Sequence, residues 1–82
     1  MPPTFSERLN TLTEREAEML LFVLGVMHPP GFNLEVTLNL IKCYKKDVLQ
    51  KILAASKAYV KEEFSSIHDS LTNKLFGEIK LN

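Results

Sequence analysis

Apolar side chains recur along this chain at helical spacing, and no stretch alternates apolar and polar residues between turn dipeptides, so strands are not expected. The first strong signal opens at Thr13. Thr13-Glu14-Arg15-Glu16 has the form of a capping box, in which the threonine hydroxyl covers the amide three residues on and the glutamate reaches back. Glu14, Glu16 and Glu18 crowd the first turn, where the positive end of the helix dipole favours acids. The predicted helix runs to about Met27. Beyond Glu18 it is apolar on every side, through Met19, Leu20, Leu21, Phe22, Val23, Leu24 and Val26. Such a helix must be surrounded, by its own fold or by a partner.

His28-Pro29-Pro30-Gly31 cannot be crossed by a helix, since each proline lacks an N–H and biases its predecessor away from the α region. Asn33 is a good N-cap for a second helix over 34–43, in which Leu34, Leu38 and Ile41 form a stripe widened by Val36 and Leu40. Lys42 to Lys46 interrupts the pattern, and Asp47 can cap a third helix. From there Leu49, Leu53, Ser56, Val60, Phe64, Ile67, Leu71 and Leu75 hold one helical phase. One helix over 47–76, roughly 45 Å long, is compatible with that stripe. So are two helices divided near Ser65, because Ser66-Ile67-His68-Asp69 resembles a fresh cap and serine pairs compete for backbone hydrogen bonds. A short turn over Ser6 to Leu9 carries a weaker signal, and residues 1–5, with two prolines, are expected to fray. The expected fold is a single all-α domain over 1–82. It is a small bundle of three or four helices at about 13–27, 34–43, 47–64 and 67–77, the last two either separate or continuous.

Size sharpens the question of what covers the apolar surface. A single core in a chain of 82 residues rarely supplies more than about 3–5 kcal/mol without a cross-link or a partner. Cys43 is the one cysteine, so no internal disulfide can form, and Cys43, His28 and His68 are not at metal-ligand spacing. No metal and no cofactor is expected, which leaves a second copy or another protein as the supplement. The longest apolar run, Met19 to Met27, is far short of the roughly 20 residues a membrane helix needs. Met1-Pro2-Pro3-Thr4 has no basic start of a signal peptide, and with one free cysteine the expected compartment is the cytoplasm.

Formal charge is zero, but it is segregated. Residues 1–41 carry Glu7, Glu14, Glu16, Glu18 and Glu35 against Arg8 and Arg15, a net of −3. Residues 42–61 carry Lys42, Lys45, Lys46, Lys51, Lys57 and Lys61 against Asp47, a net of +5. Residues 62–82 return to −2, with Glu62, Glu63, Asp69 and Glu78 against Lys74 and Lys80. A basic middle in a neutral chain is a modest electrostatic signal.

Catalytic chemistry finds little support. Ser65, Ser66, His68 and Asp69 are the right residue types, but neighbours one or two apart on a helix point to different sides and cannot converge as a triad. His68 and Asp69 read instead as a solvated helix start, and no glycine-rich phosphate loop is present. No enzyme activity and no small-molecule substrate is expected. Cys43 could be made reactive by Lys42, Lys45 and Lys46, but a small buried apolar residue at a helix end is the expectation.

Two binding roles remain. Helix 34–43, a short turn and a helix opening at Asp47 have helix-turn-helix order, with Lys42, Lys45, Lys46 and Lys51 placed to meet DNA phosphates. Leu12-Thr13-Glu14-Arg15-Glu16-Ala17-Glu18-Met19-Leu20 resembles the opening helix of LuxR-type DNA-binding domains, which often starts Leu-Thr-x-Arg-Glu. The resemblance spans nine residues and stops there: the Pro-Pro-Gly turn and Tyr44-Lys45-Lys46-Asp47 depart from that family. The base-reading arginine and asparagine are missing from the presumed recognition helix. The preferred expectation is a small cytoplasmic adaptor or regulatory protein acting through helix-mediated protein–protein contacts, including as a homodimer. Phe22, Val26, Phe64, Leu71 and Leu75 are its predicted contact residues, being large and on helices with surplus apolar surface.

Overall fold

A computed structural model describes residues 2–26 and 33–77 of the chain. It consists of five helices: α1 (Phe5–Leu9), α2 (Glu14–Leu24), α3 (Leu34–Ile41), α4 (Lys46–Ser56) and α5 (Glu62–Phe76). The all-helical expectation is met, with no strand among the described residues. Five helices among the described residues stand against the three or four predicted.

The additional element is α1. Residues 4 and 5 do not fray, because Thr4 opens a second capping box: its Oγ1 accepts from the Glu7 amide at 3.1 Å, and Glu7 Oε1 accepts from the Thr4 amide at 3.2 Å. Phe5 then stacks on Phe76 with ring centroids 5.5 Å apart. Arg8 fastens the far side, donating from Nη1 to the carbonyls of Leu75 at 3.1 Å and Gly77 at 2.9 Å.

The Thr13 box forms as predicted, with Thr13 Oγ1 accepting from the Glu16 amide at 3.2 Å and Glu16 Oε1 from the Thr13 amide at 2.8 Å. The helix it opens stops at Leu24, short of the expected Met27. Gly25 takes a left-handed φ of 71°, the Gly25 amide donates to Phe22 and the Val26 amide to Leu21, both at 3.1 Å. Paired bonds of this kind close a helix onto a glycine that no β-carbon hinders. Met27 and the His28-Pro29-Pro30-Gly31 turn lie outside the described residues. Asn33 caps α3 as expected, its Oδ1 accepting from the Val36 amide at 3.0 Å. Asp47 does not cap α4; Lys45 holds that position without a side-chain bond, and Asp47 sits in the first turn.

The stripe through residues 49–75 is neither one helix nor two helices divided at Ser65. The chain turns at Lys57 to Lys61, and α5 starts at Glu62. Ser65 lies inside α5, its Oγ donating to the Glu62 carbonyl at 2.9 Å. Turning at 57–61 lets the buried Leu49 and Leu53 of α4 share one core with the buried Leu71 and Leu75 of α5. A straight rod would have carried one pair away from the other. Leu9, Leu12, Leu20, Leu21, Leu38 and Ile41 complete that core. α5 packs against α1, α2 and α4, and α2 also covers α3 and α4, so these two helices organise the fold.

Candidate interaction surface

Of the five predicted contact residues, two are misplaced. Leu71 and Leu75 are fully buried, because they lie one turn apart on the inner face of α5 where α1, α2 and α4 converge. They are core residues. Phe22 is 82 % exposed on the outer face of α2, Phe64 is exposed on the first turn of α5, and Val26 is half-buried just beyond Gly25. The surface also carries Val36 and Leu40 on α3, Val48 on α4 and Tyr59, which is 87 % exposed in the α4–α5 turn. Sequence reasoning placed Val36 and Leu40 on the inner stripe and Tyr59 inside a helix. α3 is a helix of eight residues whose inner side is filled by Thr37, Leu38 and Ile41, leaving Val36 and Leu40 outside.

Lys42, Lys45, Lys46 and Lys51 are all exposed around the α3–α4 joint. Lys46 leans over Phe5, its Nζ 5.6 Å from the ring centroid, a cation–π contact. Among the described residues ion pairs join Lys57 to Asp69 at 2.6 Å and Lys74 to Glu16 at 2.7 Å, so Lys42, Lys45, Lys51 and Lys61 have no such pair there. Lys45 and Lys61 occupy the N-cap positions of α4 and α5 without capping, where the helix dipole disfavours a cation. Asp69 is held below the usual carboxylate range, chiefly by the hydrogen bond from Lys57.

Two polar clusters lie inside. Glu16 is 5 % exposed, and its carboxylate accepts from Lys74 Nζ at 2.7 Å, from Ser70 Oγ at 2.6 Å and from the Thr13 amide at 2.8 Å. Burial alone would push this carboxyl up, but the bonds from Lys74, Ser70 and Thr13 outweigh it and bring the pKa down from 4.5 to about 2. The second cluster joins His68, 2 % exposed, to Ser56, with Nε2 and Oγ 2.9 Å apart. His68 is therefore not the solvated helix start expected, and it finds a serine twelve residues back rather than Ser65 or Ser66. Ser56 has one hydroxyl proton and also bonds the Leu53 carbonyl at 3.1 Å. With that proton on Leu53, His68 donates from Nε2 and carries its bare lone pair at Nδ1, which has no partner among the described residues. A buried pair whose hydroxyl points to a backbone carbonyl and whose far nitrogen has no orienting acid holds α4 to α5; it lacks the geometry of an activated nucleophile.

Cys43 is exposed, not buried: it follows α3, where its Sγ lies 3.6 Å from the Asn39 carbonyl. An open groove of about 360 Å³ between α4 and α5 is lined by Leu53, Lys57, His68, Asp69, Thr72 and Phe76, among others. Among the described residues no group of His, Cys, Asp and Glu is gathered as a metal site, and no helix is long and apolar enough to cross a membrane. Comparison with protein-family models, curated proteins and solved structures gives no match.

Proposed function

We propose that the protein is a small adaptor or regulatory protein that works by presenting helical faces to another protein chain. The observation that carries this reading is the exposure of Phe22 and Tyr59, two aromatic side chains left almost entirely in solvent by a fold too small to cover them. Aromatic side chains of this kind are frequent anchors of protein interfaces, where truncating one can cost 2 kcal/mol or more. Val36, Leu40, Val48 and Phe64 add apolar surface on three further helices. A photoreactive side chain placed at Phe22 or Tyr59 should trap a discrete cross-linked species in cells, while the same group at the exposed polar Gln50 should not. Folded protein that yields no adduct from either aromatic position would remove the reading.

A second reading, DNA binding through Lys42, Lys45, Lys46 and Lys51, draws on the exposure of all four around a helix–turn–helix joint. It predicts affinity for duplex DNA that falls steeply with salt. No mobility shift at low salt with folded protein would dismiss it.

A further inference from the structure

We propose that the outward face of α4 is covered by a second copy of this chain, through the outward face of that copy's α2. The proposal rests on the protein-contact reading above and names the partner and both surfaces. On α4, Val48, Ile52 and Ala55 fall at i, i+4 and i+7, one side of a helix, and the strip ends at Tyr59 in the following turn. Lys45 and Lys51 lie three residues to either side of Val48, both exposed and without an ion pair among the described residues. On α2, Glu14, Glu18 and Phe22 stand one turn apart on the exposed side, and neither acid has an ion pair among the described residues. One strip is basic and apolar, the other acidic and apolar.

The two strips also match in length. Each helix has 11 residues, about 16 Å of axis. On α2 the two acids come first and Phe22 lies beyond them; on α4 Lys45 and Lys51 bracket Val48, and half-buried Ile52, exposed Ala55 and Tyr59 lie beyond. Laid side by side in the same direction, Glu14 and Glu18 meet Lys45 and Lys51, and Phe22 lands on Ala55 and Tyr59. Arg15, exposed beside Glu18, comes level with the exposed Asp47 of α4.

Charge distribution favours a second copy over other occupants. The chain has a formal net charge of zero, so no long-range repulsion opposes approach, while its segments carry −3 and +5. Duplex DNA would gain nothing from Val48, Ile52, Ala55 and Tyr59 and would be repelled by the acidic first segment. The contact joins unlike faces and is therefore heterologous: it closes where a symmetry axis allows and otherwise extends. A pair of helices this short buries less than a stable interface needs, so association should be weak and concentration-dependent.

Sedimentation velocity on the full chain from about 1 µM to about 1 mM tests this, a range that brackets weak association. The average mass should rise to a dimer or beyond with concentration and fall back as salt is raised. Glu14→Lys with Glu18→Lys, and separately Lys45→Glu with Lys51→Glu, should each weaken association at least tenfold, with helix content unchanged by circular dichroism. Mixing the two variants in equal amounts should restore it, since each supplies the charge the other lacks. The proposal is overturned by a wild-type chain that stays monomeric throughout, by variants that associate as well as wild type, or by a mixture no better than its components. A monomeric chain whose Phe22 and Tyr59 still cross-link to a different protein in cells would end the second-copy proposal and leave the adaptor reading standing. A monomeric chain whose lysine variant loses only a DNA mobility shift would end it in favour of nucleic acid.

Discussion

At the scale of single residues, the largest electrostatic commitment is Glu16. Its carboxyl has a pKa of about 2 in the fold against 4.5 unperturbed, so it stabilises the fold fully above pH 4.5, and that stability drains away as pH falls toward 2. The shift corresponds to roughly 3 kcal/mol as an upper bound, reduced in practice because Lys74 is partly in solvent. Glu16→Gln should lower stability by about 1–3 kcal/mol at neutral pH and flatten the acid arm of the stability curve. Urea titrations at a series of pH values between 7 and 2.5 would read both effects. A glycine supplies the second prediction. Gly25 holds a φ of 71° with nothing within 4 Å of where a β-carbon would sit, so Gly25→Ala meets no clash and costs only its backbone conformation, about 1 kcal/mol by thermal or urea unfolding. Residue identity did announce the Thr13 box and the Asn33 cap, because both bonds are local. Glu16 was legible only as half of a cap, since Lys74 and Ser70 come from 58 and 54 residues away. Cys43 and His68 were misread for the same reason: their burial is decided by which helices arrive beside them.

At the scale of elements, the α4–α5 hairpin is the clearest case of tertiary structure overriding a local pattern. The apolar phase runs unbroken from Leu49 to Leu75, and nothing in it marks 57–61 as a turn. What decides is the joint burial of Leu53 and Leu71, sealed by the bond between Ser56 and His68. Ser56→Ala should strand the His68 Nε2 hydrogen in the interior and destabilise the hairpin by about 1–3 kcal/mol. Asp69→Asn, which removes the exposed bridge to Lys57, should leave the unfolding midpoint nearly unchanged, since exposed ion pairs contribute little. Hydrogen exchange of the α4 and α5 amides in the two variants distinguishes them. The capping grammar that predicted α2 also fits α1, since Thr4-Phe5-Ser6-Glu7 repeats the spacing of Thr13 to Glu16. Pro2 and Pro3, which favour an extended chain, stand directly before this cap.

At the scale of the whole molecule, the division between core and surface is sharper than the sequence implied. Leu71→Ala should cost about 3 kcal/mol or more, whereas Phe22→Ser should leave the free chain close to wild-type stability, an outcome urea unfolding separates directly. If copies associate through α2 and α4, the melting temperature of the wild type should climb with protein concentration, and that of the Lys45→Glu, Lys51→Glu variant should not. Differential scanning calorimetry at two concentrations tests the contrast. The helical class was readable because periodicity is a local property. The choice of outer side chains was not, because α2 is apolar all round and only its neighbours determine which side faces out. One arrangement carries a consequence for biosynthesis. α1 and α2 both rest on α5, and Arg8, Thr11 and Glu16 are all bonded to groups between Ser70 and Gly77. α1 thus lacks its seat, and α2 part of its own, until α5 has cleared the ribosomal tunnel, so the bundle should close only after synthesis of α5 even where α2 has already met α3 and α4.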